Sequence, residues 1–238
     1  MIRVVYAGSP DASAVTLRLL NQAGLSCGYK IVGVLTNPPS AKGRHKTPLP
    51  TPVHSAALEL GVDVFTPEHL DSECRQKIQA LSPDILVCFA YGHIFGPKFL
   101  SLFRFGGINL HPSALPKYRG CTPVNAAILN EDSETAFSVQ KISLKMDEGN
   151  ILSSYPVVLT KKETAGSLLD EAAKKGAELL SSVLAQLSQT EKLPEGKIQT
   201  GTASYTQIIK KEDALLDWNK DSVCIDAFVR GYFPEPGA

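Results

Sequence analysis

Ile108-Asn109-Leu110-His111-Pro112-Ser113-Ala114-Leu115-Pro116-Lys117-Tyr118-Arg119-Gly120 reads as a short buried strand that ends in two polar side chains and runs into a proline-framed loop. In an extended chain, residues i and i+2 share a face. Asn109 and His111 therefore project together, and Ile108 and Leu110 point the other way. Similar apolar runs at 4–7, 31–35, 62–65 and 85–89 read as further buried strands. Between them, 12–23, 52–60 and 67–81 read as helices, each opening near an Asp or a Pro. Continuous apolar strands alternating with helices predict an α/β fold with a doubly wound, mostly parallel sheet covered on both faces. Ligands of such sheets bind beyond the carboxyl ends of the strands, which is where Asn109 and His111 fall.

After Gly120 the pattern predicts a helix over 123–129, strands over 135–141 and 151–158, and a long helix over 167–187. Between the two strands lies Met146-Asp147-Glu148-Gly149-Asn150-Ile151, an acidic turn that can supply a carboxylate to the Asn109–His111 pair. Past Leu193 the periodicity weakens. Ile198, Tyr205, Ile208 and Ile209 mark short extended pieces, and 213–230 reads as one or two linker helices before a turn-like end.

The 238 residues are enough for one substantial core. Lys plus Arg equals Asp plus Glu at 24 each, so bulk charge does not draw the chain to nucleic acid and any RNA contact must be local. Five cysteines (27, 74, 88, 121 and 224) with no C-x-x-C give neither a disulfide framework nor a zinc cluster. Cys88 falls inside an apolar strand and reads as core. The five histidines show no ligand-like spacing, so no metal is expected. The chain enters its first strand without a signal-peptide pattern and has no apolar run near the ~20 residues that span a bilayer, so a cytoplasmic setting is expected. Tyr6-Ala7-Gly8-Ser9-Pro10-Asp11 follows strand one but lacks G-x-G-x-x-G, which disfavours a nicotinamide site.

The combination of Asn-x-His at a strand end, the Ser113 to Gly120 loop and the Asp147 to Ile151 turn resembles the folate-dependent formyltransferase family, and within it the methionyl-tRNA formyltransferases. The resemblance covers nearly the whole chain. It implies a Rossmann-like formyltransferase fold, with residues 1–206 as the catalytic domain and 207–238 as a linker and the start of a C-terminal domain whose remainder is absent. It also implies 10-formyltetrahydrofolate as formyl donor, methionyl initiator tRNA as acceptor and a monomeric enzyme. The alternatives keep the site and change its use. They are an amino-sugar nucleotide or glycinamide ribonucleotide formyltransferase, a 10-formyltetrahydrofolate hydrolase, or a non-catalytic folate- or RNA-binding module.

Formyl transfer to an amine needs an oriented nucleophile and donors for the oxygen that gains charge. Asn109 would donate its amide N–H to that oxygen and His111 would add a second donor. Asp147 would orient His111 and accept a proton, directly or through water. By resemblance the pterin ring lies against Phe89, Ala90, Tyr91, Gly92 and Ile94 on one side and Ser113, Ala114, Leu115 and Pro116 on the other, with Gly92 admitting close backbone approach. The long connection 37–52 carries five prolines and a basic cluster. It resembles the family's tRNA-contacting loop, so Lys42, Arg44 and Lys46 are expected at phosphates and bases of the acceptor end. Four departures from the family pattern stand out. Ala12 and Ser13 replace an aromatic residue, Pro112 follows the histidine where the tRNA enzymes commonly have glycine, Ala114 stands where leucine is common, and Glu148 places a second carboxylate beside Asp147.

Overall fold

The computed structural model describes residues 1–41 and 47–238. Seven strands form one sheet: β1 (Ile2–Gly8), β2 (Tyr29–Leu35), β3 (Val64–Phe65), β4 (Ile85–Phe89), β5 (Gly107–His111), β6 (Glu134–Lys141) and β7 (Ile151–Val158). Their order across the sheet is β7-β6-β5-β4-β1-β2-β3. The five strands from β5 to β3 pair in parallel, and β6 and β7 complete the sheet as an antiparallel hairpin. The expected doubly wound, mostly parallel sheet is therefore present.

Among the described residues seven α-helices accompany the sheet: α1 (Asp11–Gly24), α2 (Pro52–Glu59), α3 (Ser72–Ala80), α4 (Pro97–Leu100), α5 (Pro123–Leu129), α6 (Ala165–Thr190) and α7 (Ser222–Tyr232). A 3-10 turn covers Lys211–Ala214. The strand period of two sends Val4 and Tyr6 of β1 into one core with α1, α2, α5 and α6, while Val5 and Ala7 enter the other with α3 and α4. All five residues of β4 are buried, as a central strand requires.

Helices α2, α3, α6 and α7 begin where a side chain satisfies one of their first amides. Thr51 accepts from His54 N ahead of Pro52, Asp71 from Cys74 N, and Asp221 from Cys224 N. Thr164 and Ser167 cap α6 reciprocally. Each such cap contributes about 1 kcal/mol. The Asp71 cap also corrects the expected 67–81 helix, since five residues from Pro67 to Asp71 stay outside it. The strand expected at 62–65 shortens to Val64–Phe65, the part that pairs with β2 on the sheet edge. The expected linker helices resolve into the 3-10 turn and α7. Helix α7 packs back on the body, with Asn125 Nδ2 donating to Gly231 O at 2.7 Å.

Two close approaches fix the site strand and its partner turn. A Cβ on Gly176 of α6 would overlap the Leu110 side chain, so α6 lies directly on β5. A Cβ on Gly149 would overlap Lys141 O, so the Asp147 turn folds tightly against the end of β6. At the carboxyl end of β1, Tyr6 Oη bonds Ser13 O at 2.8 Å and Ser13 Oγ at 2.7 Å, and Ser13 also abuts Gly8. The small residues at 12 and 13 are thus accommodated by a buried tyrosine from the strand.

Candidate active site

Asn109 and His111 stand on one face at the carboxyl end of β5, as the period of two requires. Across the antiparallel ladder, Asn109 is opposite Gln140 and His111 is opposite Ser138. Both partners are buried polar residues at 1% exposure. Asp147 sits in the β6–β7 turn with φ +53°, a left-handed conformation that Asp tolerates better than most residues.

The Asp147 carboxylate is held by donors. Oδ1 accepts from Gln140 Nε2 at 2.7 Å and, more loosely, from Asn109 Nδ2 at 3.5 Å. Oδ2 accepts from Gly120 N at 2.8 Å and lies 3.6 Å from His111 Nδ1. His111 and Asp147 side chains are 5% and 13% exposed, so water contributes little to this arrangement. His111 Nε2 is 2.9 Å from Tyr118 O, an acceptor, which assigns its proton to Nε2. Only Nδ1 then remains for the cleft, as an acceptor in the neutral ring and a donor in the protonated one. Tyr118 aims that carbonyl from a left-handed turn at φ +57°, and its own N–H donates to Ser204 Oγ at 2.9 Å.

These groups open on a cleft of about 640 Å³ whose lining includes Asn109, His111, Gln140 and Asp147. Of the expected folate contacts, Phe89, Ala90, Tyr91, Gly92 and Ile94 line it. Tyr91 stacks on Phe95 at 5.6 Å between ring centroids, which stiffens this wall. Gly92 adopts φ +85°, a left-handed conformation that favours glycine, and a Cβ there would meet no protein atom within 4 Å. Ser113, Ala114, Leu115 and Pro116 are a different case, because none of them lines the cleft. Ser113 is fully buried, donating to Lys117 O at 2.6 Å while its carbonyl accepts from Ser138 Oγ at 2.7 Å. Its hydroxyl closes the loop on itself, and Ala114 is exposed outside the site. Pro112, by contrast, does line the cleft.

The expected tRNA contacts Lys42, Arg44 and Lys46 lie outside the described residues. Among the described residues the cleft continues to Ser9, Asn37 and Thr51, and the buried Asn37 Oδ1 has no hydrogen-bond partner there. Glu148 does not crowd Asp147. It pairs with Arg119 at 3.1 Å and accepts from Tyr205 Oη at 3.1 Å. Cys88 lines the cleft but is 8% exposed, and burial pushes its thiol up to about 12. Among the described residues no group of three His, Cys, Asp or Glu could hold a metal ion, and no helix is long and apolar enough to cross a membrane.

Sequence reasoning missed Gln140, although a glutamine closing the run 136–139 was a usable signal. It also missed Gln199 and Tyr205, whose association with Arg119 depends on the return of the chain after α6. There Tyr205–Thr206 pairs in parallel with Arg119–Gly120.

Residues 2–184 match the family described as Formyl transferase. The chain is 39% identical over 245 aligned residues to a methionyl-tRNA formyltransferase of Treponema pallidum (strain Nichols), covering 100% of this chain and 75% of that relative. In structure it is similar to a methionyl-tRNA formyltransferase from Clostridium thermocellum (TM-score 0.69, 15% identity, 100% of this chain and 86% of that one). It is also similar to an N-formyltransferase from Helicobacter canadensis, solved with folinic acid and dTDP-3-aminofucose (TM-score 0.69, 21% identity, 98% and 81%). At these identities the two structures speak for the fold.

Proposed function

Because the chain belongs to the formyl transferase family, and within it to the methionyl-tRNA formyltransferases, we propose that it moves the formyl group of 10-formyltetrahydrofolate to the amino group of methionyl initiator tRNA. The observation that carries this reading is the convergence of Asn109, His111 and Asp147 at the carboxyl end of β5, within one cleft. The cleft volume of about 640 Å³ is in the range that takes ligands of this size.

In the proposed reaction the amine nitrogen attacks the formyl carbon, a C–N bond forms, and the carbonyl electron pair moves onto oxygen. Asn109 Nδ2 keeps one N–H beyond its long contact to Asp147 and directs it at that oxygen. Nδ1–H of the protonated His111 ring is the second donor, since Nε2–H is engaged by Tyr118 O. Asp147 takes the proton released by the amine, directly or through water. The bond from the formyl carbon to N10 then breaks, and the same proton is returned to N10. The net exchange is one formyl group against one proton.

The folate wall in this reading is the 89–94 segment, while 113–116 is braced by Lys117 and Ser138 and does not line the cleft. The Ser9–Asn37–Thr51 end of the cleft is the acceptor side in this reading. Lys42, Arg44 and Lys46 are assigned from the sequence to phosphates and bases of the acceptor end. Residues 1–206 are assigned to the catalytic unit and 207–238 to the linker. The test is tetrahydrofolate release from 10-formyltetrahydrofolate with methionyl initiator tRNA, uncharged tRNA or free methionine. Stimulation by the charged tRNA alone is expected. Release without any acceptor would replace the reading with a hydrolase, and stimulation only by an amino-sugar nucleotide or glycinamide ribonucleotide would replace the acceptor.

A further inference from the structure

We propose that Gln199 is a positioning residue for the transfer, acting through Gln140 and the Asp147 backbone; this rests on the reading of Asp147 as the reacting carboxylate. Gln199 does not line the cleft and touches no reacting atom. Its effect comes from the direction of its hydrogen bonds. The Arg119 guanidinium, which can only donate, places Nε and Nη2 at 3.1 and 2.8 Å from Gln199 Oε1. The amide oxygen must therefore face Arg119. Gln199 Nε2 then faces three acceptors, Asp147 O at 2.7 Å, Gly149 O at 2.8 Å and Gln140 Oε1 at 3.3 Å.

Backbone carbonyls cannot donate, so the orientation of this amide is dictated from both ends. The consequence passes on to Gln140. With Oε1 turned to Gln199, Gln140 has only its NH₂ to present to Asp147 Oδ1, at 2.7 Å. Gln140 is 1% exposed, so water cannot substitute for Gln199 in setting that choice. Donation thus runs in one sense from Arg119 through Gln199 and Gln140 to the carboxylate. Gln199 additionally ties both sides of the left-handed Asp147 turn, at the carbonyls of residues 147 and 149.

The chain around Gln199 is built to deliver it. Ile198 is 76% exposed while the polar Gln199 turns inward, the reverse of what burial of apolar surface would select. Arg119, the origin of the relay, is 9% exposed. It is held by Tyr205 Oη at 2.9 Å and by Glu148 at 3.1 Å. Glu148 follows Asp147 directly, so the network closes on the turn that it orients.

The test uses the full chain with Gln199→Met, which keeps length and removes every hydrogen bond, and Gln199→Glu, which keeps the Arg119 contact and removes the donor. The expected result is a fall in kcat of about 10- to 100-fold, the scale of an ångström-level misplacement. KM for folate and for tRNA should stay within about threefold of the parent while the pH profile of kcat changes shape. Gln140→Met should lose a similar factor, and Gln199→Met with Gln140→Met should lose little more than either alone. A kcat loss under about threefold in both Gln199 variants would overturn the proposal, as would losses that multiply in the double variant. A loss that only tracks the folded fraction, with the pH profile unchanged, would overturn it too. Asp147→Asn separates the two levels. If it retains parental kcat, the site reading itself fails; if it is inactive while both Gln199 variants are parental, only the positioning role fails.

Discussion

Replacing Asp147 by asparagine exchanges one carboxylate oxygen for an NH₂ group and changes little else. The left-handed backbone at φ +53° accepts Asn as readily as Asp. The carboxylate has two close donors on different oxygens, Gln140 Nε2 at 2.7 Å and Gly120 N at 2.8 Å. An asparagine can accept from only one of them, and its NH₂ must face the other donor. One buried donor is left unmet, a cost of about 1–3 kcal/mol. For a chain of this size each kcal/mol moves Tm by about 2–4 °C, so a fall of about 2–12 °C is expected by calorimetry. Turnover should suffer more, because the proton acceptor is gone. A general base contributes about 10²–10⁴-fold, so kcat for tetrahydrofolate release should drop by at least about 100-fold. An Asp147→Asn protein with parental Tm and parental kcat would refute both the donor accounting and the catalytic assignment.

Asn109→Ala removes one oxyanion donor and should lower kcat by about 100- to 1,000-fold with Tm little changed; a loss below about tenfold would remove Asn109 from that role. Cys121 is exposed at the cleft, whereas Cys88 is buried with its thiol pushed up to about 12 by burial. Alkylation at a pH of about 7.5 followed by peptide mapping should therefore modify Cys121 and spare Cys88, and a folate ligand should slow the Cys121 reaction. Glu163 is drawn up by burial but pulled further down by bonds from the Thr160 hydroxyl and amide and from Lys162 N, leaving it below its ordinary 4.5. A depressed carboxyl stabilises above its unfolded pKa and loses that contribution as pH falls through the folded value. Glu163→Gln should thus cost about 1 kcal/mol at most near neutral pH, given its partial solvation, and the Tm gap to the parent should close as pH drops below 4.5.

The parallel strands were readable because central strands are apolar at every position, as β4 is. Their ends and the edge were less so. Strand β3 depends on how far β2 reaches, and α3 starts at the Asp71 cap rather than at the proline before it. Helix α4 went unread although Phe95, Phe99 and Phe103 recur every four residues and pack in turn at 5.5 and 5.6 Å between ring centroids. Asn109 and His111 could be paired from spacing alone, since both lie on one strand. Asp147 could be offered to them as a downstream carboxylate, but its approach depends on the tight Gly149 turn. The 113–116 loop was assigned to the ligand by resemblance, and it is absent from the cleft lining. Its carbonyl bond from Ser138 is a tertiary fact that no local pattern announces. Gln199 is further still from local reading, since it is 52 residues from the Asp147 carbonyl that it holds.

The return of the chain at Tyr205–Thr206 to the Arg119–Gly120 segment bears on how such proteins can be recombined. The shared family segment closes at residue 184, inside α6, and already contains Asn109, His111 and Asp147. A chimera spliced at that boundary would inherit all three yet take the strip that braces them from a different parent. Its mismatch would surface as slow turnover in a well-folded hybrid, with nothing altered in the cleft. A crossover placed after residue 206 carries the strip together with the residues it grips, and is the position at which swapped C-terminal portions can be compared on equal terms.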